Sequence, residues 1–313
     1  LVHYFPAPLA KYEADMQRHR LRREIISTVL ANEIVNMCGA TFPERLRQSA
    51  ECDTGAMVIA FEAARRIFRL DEAWNAVSAL DGKIPAEAQI ALYREISTVL
   101  RRQTSWLARR AMQPGATVDG LIDAYRPAAD ALRPAGASVL SRFEQARFDD
   151  RIQAFTALGA SPEMARDFAM LRPLVATADI GDLAREAGWP ETAMAMLYHQ
   201  VGAAFDFDRL RAAAATVPST DHFDRLAVRR LIEDLMTEQT ALTRAVAKVS
   251  SVDVGASEQA AEQAIDTWIG PKLATVEGLR ASVDEIEASG SGWTFAKLSI
   301  AGGQLRAVDQ IAV

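Results

Sequence analysis

HRLRREIISTVLANEIVN occupies residues 19–36. It predicts a helix that is apolar on nearly every side, and a helix of that kind is expected to be buried all round. Yet Thr28, Asn32 and Asn36 climb one face at i, i+4, i+8 spacing, beside Ile25 and Val29. A buried amide left without a partner costs about 1–3 kcal/mol. Two arrangements meet that demand. In one, the three polar side chains bond backbone groups of neighbouring helices and fix the packing register. In the other, Asn36 caps the helix ahead of Gly39 and Asn32 meets water. Both are architectural, and neither implies catalysis.

The helical signal continues outward from this stretch. Ala, Leu, Arg, Glu and Gln dominate, and no alternating Val/Ile/Thr run appears. The expected fold is all-α: two packed multi-helix subdomains with no substantial sheet. The first helix is expected over about 8–37, followed by a capping box of Thr41 and Glu44. Helices follow near 54–69, 71–80 (capped by Asp71), 85–112, 118–131 and 136–157. Leu92, Ile96, Val99, Leu100 and Leu107 form the apolar stripe of the 85–112 helix. Gly159 then breaks the chain, and Ser161-Pro162-Glu163 starts a new helix with Ser161 as N-cap. Short helices near 162–170, 180–187, 190–204 and 206–215 lead to three longer ones near 219–249, 257–288 and 294–310. A boundary near Gly159 gives subdomains 1–158 and 159–313.

Composition bounds the function. With 313 residues, half of them hydrophobic, the chain can bury a large core. A net charge of −6 argues against nucleic-acid binding through bulk charge. Two cysteines, Cys38 and Cys52, are too few for a disulfide framework and are expected as buried thiols. No apolar run approaches the roughly 20 residues that cross a bilayer, and nothing looks like a signal peptide. The chain opens LVHYFP without Met, which suggests a piece of a longer polypeptide.

Motifs that carry chemistry are missing. His3, His19, His199 and His222 are scattered, none at metal-ligand spacing from another ligand. There is no C-x-x-C, H-E-x-x-H, G-x-S-x-G or G-x-x-x-x-G-K-[ST]. GSGWTF at 290–295 lacks the third glycine and the preceding strand of a dinucleotide loop. FDDR at 148–151 falls short of an aspartate-rich metal motif. Residues 180–202 offer a helix-turn-helix spacing through Ala184 and Gly188, but the segment from Pro190 to Val201 holds no Arg or Lys to anchor on DNA. It is expected to pack Leu183, Met194, Leu197 and Tyr198 inward as a tight hairpin. Arg94, Arg101, Arg102 and Arg109 share one sector of the 85–112 helix, either as a solvated face or as a surface for an acidic neighbour.

YFP at 4–6, the run at 19–36 and GATF at 39–42 resemble the start of the C-terminal domain of the large bacterial class of NAD-specific glutamate dehydrogenases. In that family an H-x-L-R-R-E-I-I run leads into an N-x-x-V-N pair, then a glycine and Thr-Phe. The similarity continues through TGA at 54–56, ARRIFRLDEAWNAVSALD at 64–81 and LRRQTSWLARR at 100–110, and returns at 187–210. Pro43, Cys52 and Ala108 depart from it. The resemblance implies a parent enzyme that oxidatively deaminates L-glutamate to 2-oxoglutarate and ammonium with reduction of NAD. It places the Rossmann domain, the catalytic lysines and the aspartate upstream of Leu1.

The residues agree with that placement. Glutamate dehydrogenase chemistry needs a lysine in a glycine-lined pocket and a carboxylate to move protons. Of the five lysines only Lys83 and Lys272 lie near glycine, both in turns between expected helices. No catalytic, cofactor-binding or metal-binding residue is therefore expected in this chain. NAD is expected to bind elsewhere in the parent. The expected partners are the catalytic domain of the same polypeptide and further copies in a homo-oligomer, without nucleic acid or membrane and in the cytoplasm. The alternative is an unrelated helical interaction module, sharpest as a helix-turn-helix DNA binder.

Overall fold

The computed structural model describes residues 1, 4–218, 222–250, 257–290 and 292–310. Every regular element among them is helical. A 3-10 stretch, Ala7–Tyr12, leads into α1 (Glu13–Gln17), α2 (Arg22–Cys38), α3 (Phe42–Ala50), α4 (Thr54–Ile67), α5 (Leu70–Ser78) and α6 (Ala86–Ala111). Then come α7 (Val118–Ala135), a 3-10 turn at Gly136–Val139, α8 (Arg142–Ala157) and α9 (Pro162–Met170). After a turn at Pro173–Ala176 follow α10 (Thr177–Ala187), α11 (Glu191–Ala204), α12 (Phe207–Thr216) and α13 (His222–Val249). The chain closes with α14 (Glu258–Ile269), a turn at Gly270–Lys272, α15 (Leu273–Ala288) and α16 (Phe295–Gln310).

These helices form two compact units. One comprises Leu1–Arg126 and Phe155–Val175, the other Pro127–Ala154 and Ala176–Val313. The cut expected between 158 and 159 falls inside the second piece of the first unit. There the Phe155 and Phe168 rings meet edge to face at 6.0 Å across the turn at Gly159, so both sides of that turn share one core.

In the first unit α6 is the axle. Its expected stripe, Leu92, Ile96, Val99, Leu100 and Leu107, is fully buried. Against it lies α4, whose Ala60, Ala63 and Ala64 lack bulk beyond Cβ and let the two backbones approach. Asp53 caps α4 by accepting the Ala56 N–H at 2.7 Å. Arg65 ties α2, α4 and α5 together through Glu33, Glu62 and Asp71. In the second unit α11 is central, with α10, α12, α13 and α14 packed around it. Every residue from Ala193 to Gly202 is buried.

Local chemistry redraws several expected boundaries. The long first helix is broken between Gln17 and Arg22, because His19 Nδ1 accepts the Leu21 N–H at 3.1 Å and diverts the backbone. Thr41 precedes α3 but its hydroxyl caps nothing, and Glu44 turns instead to Arg47 and Gln48. Asp71 sits in the first turn of α5 rather than at its cap, which is Arg69 at φ +49°. The expected 136–157 helix starts later, at Arg142, after the 3-10 turn. The 257–288 helix is split at Gly270-Pro271, since proline removes a donor from the helical ladder. Ser161 caps α9 as expected, accepting the Met164 N–H at 3.2 Å. The SVDVGAS loop lies almost wholly outside the described residues.

Candidate functional site

The amide face of α2 is not buried. Thr28, Asn32 and Asn36 are all exposed, while Ile34, Met37 and Cys38 on the opposite side are buried. The helix packs by one face; of the two arrangements open to its amides, the interhelical network does not form among the described residues, and Asn32 is exposed as in the other. Burial pushes the Cys38 thiol up to about 12, so it stays an unreactive thiol at neutral pH. Cys52 is buried as well.

The arginine stripe of α6 splits. Arg94 and Arg109 are exposed, whereas half-buried Arg101 turns toward the Cys38 carbonyl oxygen at 3.5 Å. Lys83 is exposed in its turn. Lys272 is buried, its Nζ 3.5 Å from the centroid of the Trp268 ring. His19 is exposed as expected; His3 and the His222 side chain lie outside the described residues. The α10–α11 pair turns at Gly188 (φ +69°) and buries Leu183, Met194, Leu197 and Tyr198. Because α11 is enclosed along its length, it has no free face to lay in a DNA groove.

The densest ionisable chemistry is a quartet in the second unit: buried His199 and Asp208 with half-buried Glu144 and Arg211. Ser141 stands one residue before α8; its Oγ accepts the Glu144 N–H at 3.3 Å and donates to Asp208 Oδ2 at 3.0 Å. Glu144 Oε2 lies 2.6 Å from His199 Nδ1. Arg211 donates to Asp208 and to Gln239, and Gln239 Nε2 in turn donates to the Tyr198 carbonyl at 2.8 Å. Gly202 leaves room for this: a Cβ there would come within 2.7 Å of Gln239 Nε2. Segment 141–144, α11, α12 and α13 are thus joined at one point.

The electrostatics follow from burial and pairing. Burial alone pulls the His199 imidazole down, but the neighbouring Glu144 carboxylate outweighs it and the net shift is upward. Burial alone would raise Glu144; the His199 charge and hydrogen bond and the Arg211 charge carry it below its usual value. Asp208 is pushed up to about 6, by burial first and the Glu144 charge second, against the pull of Arg211. With all four groups ionised, two anions face two cations. His199 and Asp208 are only 3 % and 6 % exposed, so a dissolved reactant has no approach to them. Among the described residues no group of three or more His, Cys, Asp or Glu is placed to hold a metal ion, and no single helix is long and apolar enough to cross a membrane.

Reasoning from sequence missed the quartet. Its local halves were visible: Ser141-x-x-Glu144 is a capping-box pattern and Asp208-x-x-Arg211 a helical ion pair. The His199–Glu144 pairing joins distant parts of the chain and left no spacing to read.

What the fold and this site define is an all-helical module whose central polar cluster joins helices to one another. The family model for the C-terminal region of glutamate dehydrogenase matches residues 1–307, and the chain belongs to that family. It is 28 % identical over 298 residues to the NAD-specific glutamate dehydrogenase of Halomonas elongata, covering 95 % of this chain and 18 % of that protein. The NAD-specific glutamate dehydrogenase of Pseudomonas aeruginosa is 29 % identical over 308 residues, with 98 % and 18 % covered. That of Mycobacterium tuberculosis is 25 % identical over 307 residues, with the same shares. The chain therefore spans 18 % of the length of these curated relatives.

Proposed function

We propose that this chain is the noncatalytic helical annex of a large NAD-specific glutamate dehydrogenase, serving its structure, assembly or regulation. The parent converts L-glutamate, NAD and water to 2-oxoglutarate, ammonium and NADH. Its NAD site and reacting groups lie outside residues 1–313, which supply no catalytic, cofactor-binding or metal residue. The annex docks on the catalytic part of the same polypeptide, in a homo-oligomer in the cytoplasm, without nucleic acid or membrane. One observation carries this reading: the ionisable groups of this cluster are spent on one another in charge balance, and its His199 and Asp208 are buried where solvent-borne substrate does not reach. Such a cluster specifies packing, not turnover. Titration calorimetry of residues 1–313 with NAD, alongside NADH absorbance with glutamate and NAD, tests it. The expected result is neither binding nor turnover; micromolar NAD affinity overturns it.

A further inference from the structure

The outward face of α2 has the pattern of a helix–helix seam. Leu21 at the N-cap, then Ile25, Thr28, Asn32 and Val35 within the helix, recur at spacings of four, three, four and three residues, the heptad rhythm of paired helices. Leu21 is 54 % and Val35 42 % exposed, Thr28 and Asn32 are exposed, and Ile25 is half-buried. The face used inside the unit, through Ile34 and Met37, lies on the other side of the helix. Two aliphatic side chains left about half open to water, in phase with an amide and a hydroxyl, make a poor solvent face and a good seam.

Chemistry selects what covers it. An amide both donates and accepts, and so does a hydroxyl; a stripe carrying one of each is complementary to itself. Two copies of α2 laid antiparallel about Leu30 set Ile25 against the partner's Val35 and Thr28 against the partner's Asn32. Charge gives the same orientation. Arg20, Arg22 and Arg23 are exposed at the N-terminal end of α2, where the helix dipole is already positive. Parallel pairing would stack two arginine clusters. Antiparallel pairing lays each cluster beside the last turn of the partner helix, where the negative end of the dipole lies.

We infer that the outward face of α2 seats the same face of a second copy of this chain, antiparallel, with the Thr28–Asn32 contact setting the register. This deepens the homo-oligomer part of the proposed function and names its contact; the NAD titration above does not bear on it. The seam from Leu21 to Val35 is about 21 Å long. That is short against the roughly 800 Å² per partner of a stable interface, so association is expected in the micromolar range.

Sedimentation velocity of the 313-residue chain over a roughly hundredfold concentration range tests it. The expected result is a monomer–dimer equilibrium that T28E/V35E shifts to monomer throughout. Both positions are exposed, so the thermal melt of that variant should match the parent chain and separate lost docking from lost folding. Register is read by disulfide formation: T28C mixed with N32C should cross-link, and N32C alone should not, above the background from buried Cys38 and Cys52. A monomer at every concentration, a dimer that survives T28E/V35E, or cross-linking by N32C alone overturns the proposal.

Discussion

α2 and α11 both look apolar almost all round in sequence, yet they occupy opposite surroundings. In α11 every residue from Ala193 to Gly202 is buried, polar His199 and Gln200 included. In α2 only Ile34, Met37 and Cys38 are buried, and three polar residues in helical phase face outward. A count of apolar residues does not predict which helix goes inside; the phase of the polar residues does. Polar side chains scattered on an apolar helix can go inside when charged partners come from other elements, as Glu144 does for His199. Polar side chains repeated at i, i+4, i+8 declare a face, and that face belongs to water or to another molecule.

The contrast is broken most directly at Glu144. Removing one partner of a buried ion pair strands the other charge, at a cost of about 3–5 kcal/mol. Glu144→Ala should therefore move the urea midpoint far down, whereas Thr28→Ala on the exposed face of α2 should change stability by no more than about 0.5 kcal/mol. Equal effects from the two substitutions would erase the distinction between the helices.

Acidity sharpens it, because the quartet titrates and the α2 stripe does not. Glu144 is depressed in the folded state, so its stabilisation is present above the ordinary value of 4.5 and is lost as pH falls through the lowered one. His199 is raised, so its stabilisation is complete below 6.5 and is lost as pH rises through its higher folded value. Asp208 has the opposite sign to Glu144. Raised from 3.8 to about 6, it keeps its proton longer in the folded state, and its contribution declines as pH climbs across that interval. Asp208→Asn should flatten the decline between those values, and His199→Gln the decline above 6.5. Folding free energies from urea titrations at stepped pH measure both. Curves running parallel to that of the unmodified chain would show that the quartet does not govern them.

Much of the fold was legible because it rests on local rules. The α6 stripe, the Ser161 cap and the α10–α11 hairpin are set by periodicity and capping within a few residues. The misses share a cause: a local side chain or a distant contact overrode the pattern. His19 diverts the backbone in the middle of an unbroken helical pattern. Gly159 looks like a domain boundary until Phe155 and Phe168 meet across it. The quartet needed four chain segments to converge, and sequence showed only the two local pairs within it.

A smaller effect separates glycines in the two environments. At Gly202 a new Cβ would press on Gln239 Nε2 and come within 3.4 Å of Asp208, so the gain of about 1 kcal/mol from helix propensity is outweighed by about 1–3 kcal/mol of overpacking. Gly202→Ala should lower stability. At Gly278, also helical, nothing lies within 4 Å, and Gly278→Ala should raise stability by about 0.5–1 kcal/mol. Denaturation midpoints with opposite shifts are expected, and shifts of the same sign would contradict the crowding at Gly202.

The smallest expected change is at Asn32, and it is the most informative about α2. The side chain is exposed and makes no hydrogen bond among the described residues. Asn32→Leu strands no partner within the chain and installs a better helix former, so stability at low protein concentration should hold or rise by a few tenths of a kcal/mol. Midpoints can be compared directly when the denaturant slopes agree. A fall of about 1–3 kcal/mol would instead mean that a buried partner had lost its amide. Association should respond differently from folding. A polar residue in a helix seam fixes register at some cost in affinity, so the leucine variant should dimerise more tightly and align less uniquely. Spin labels on α2 would then report a broader distribution of distances between copies. If the variant instead stays as stable as the parent chain and its association does not move at all, Asn32 faces only water, and the seam belongs to neither copy.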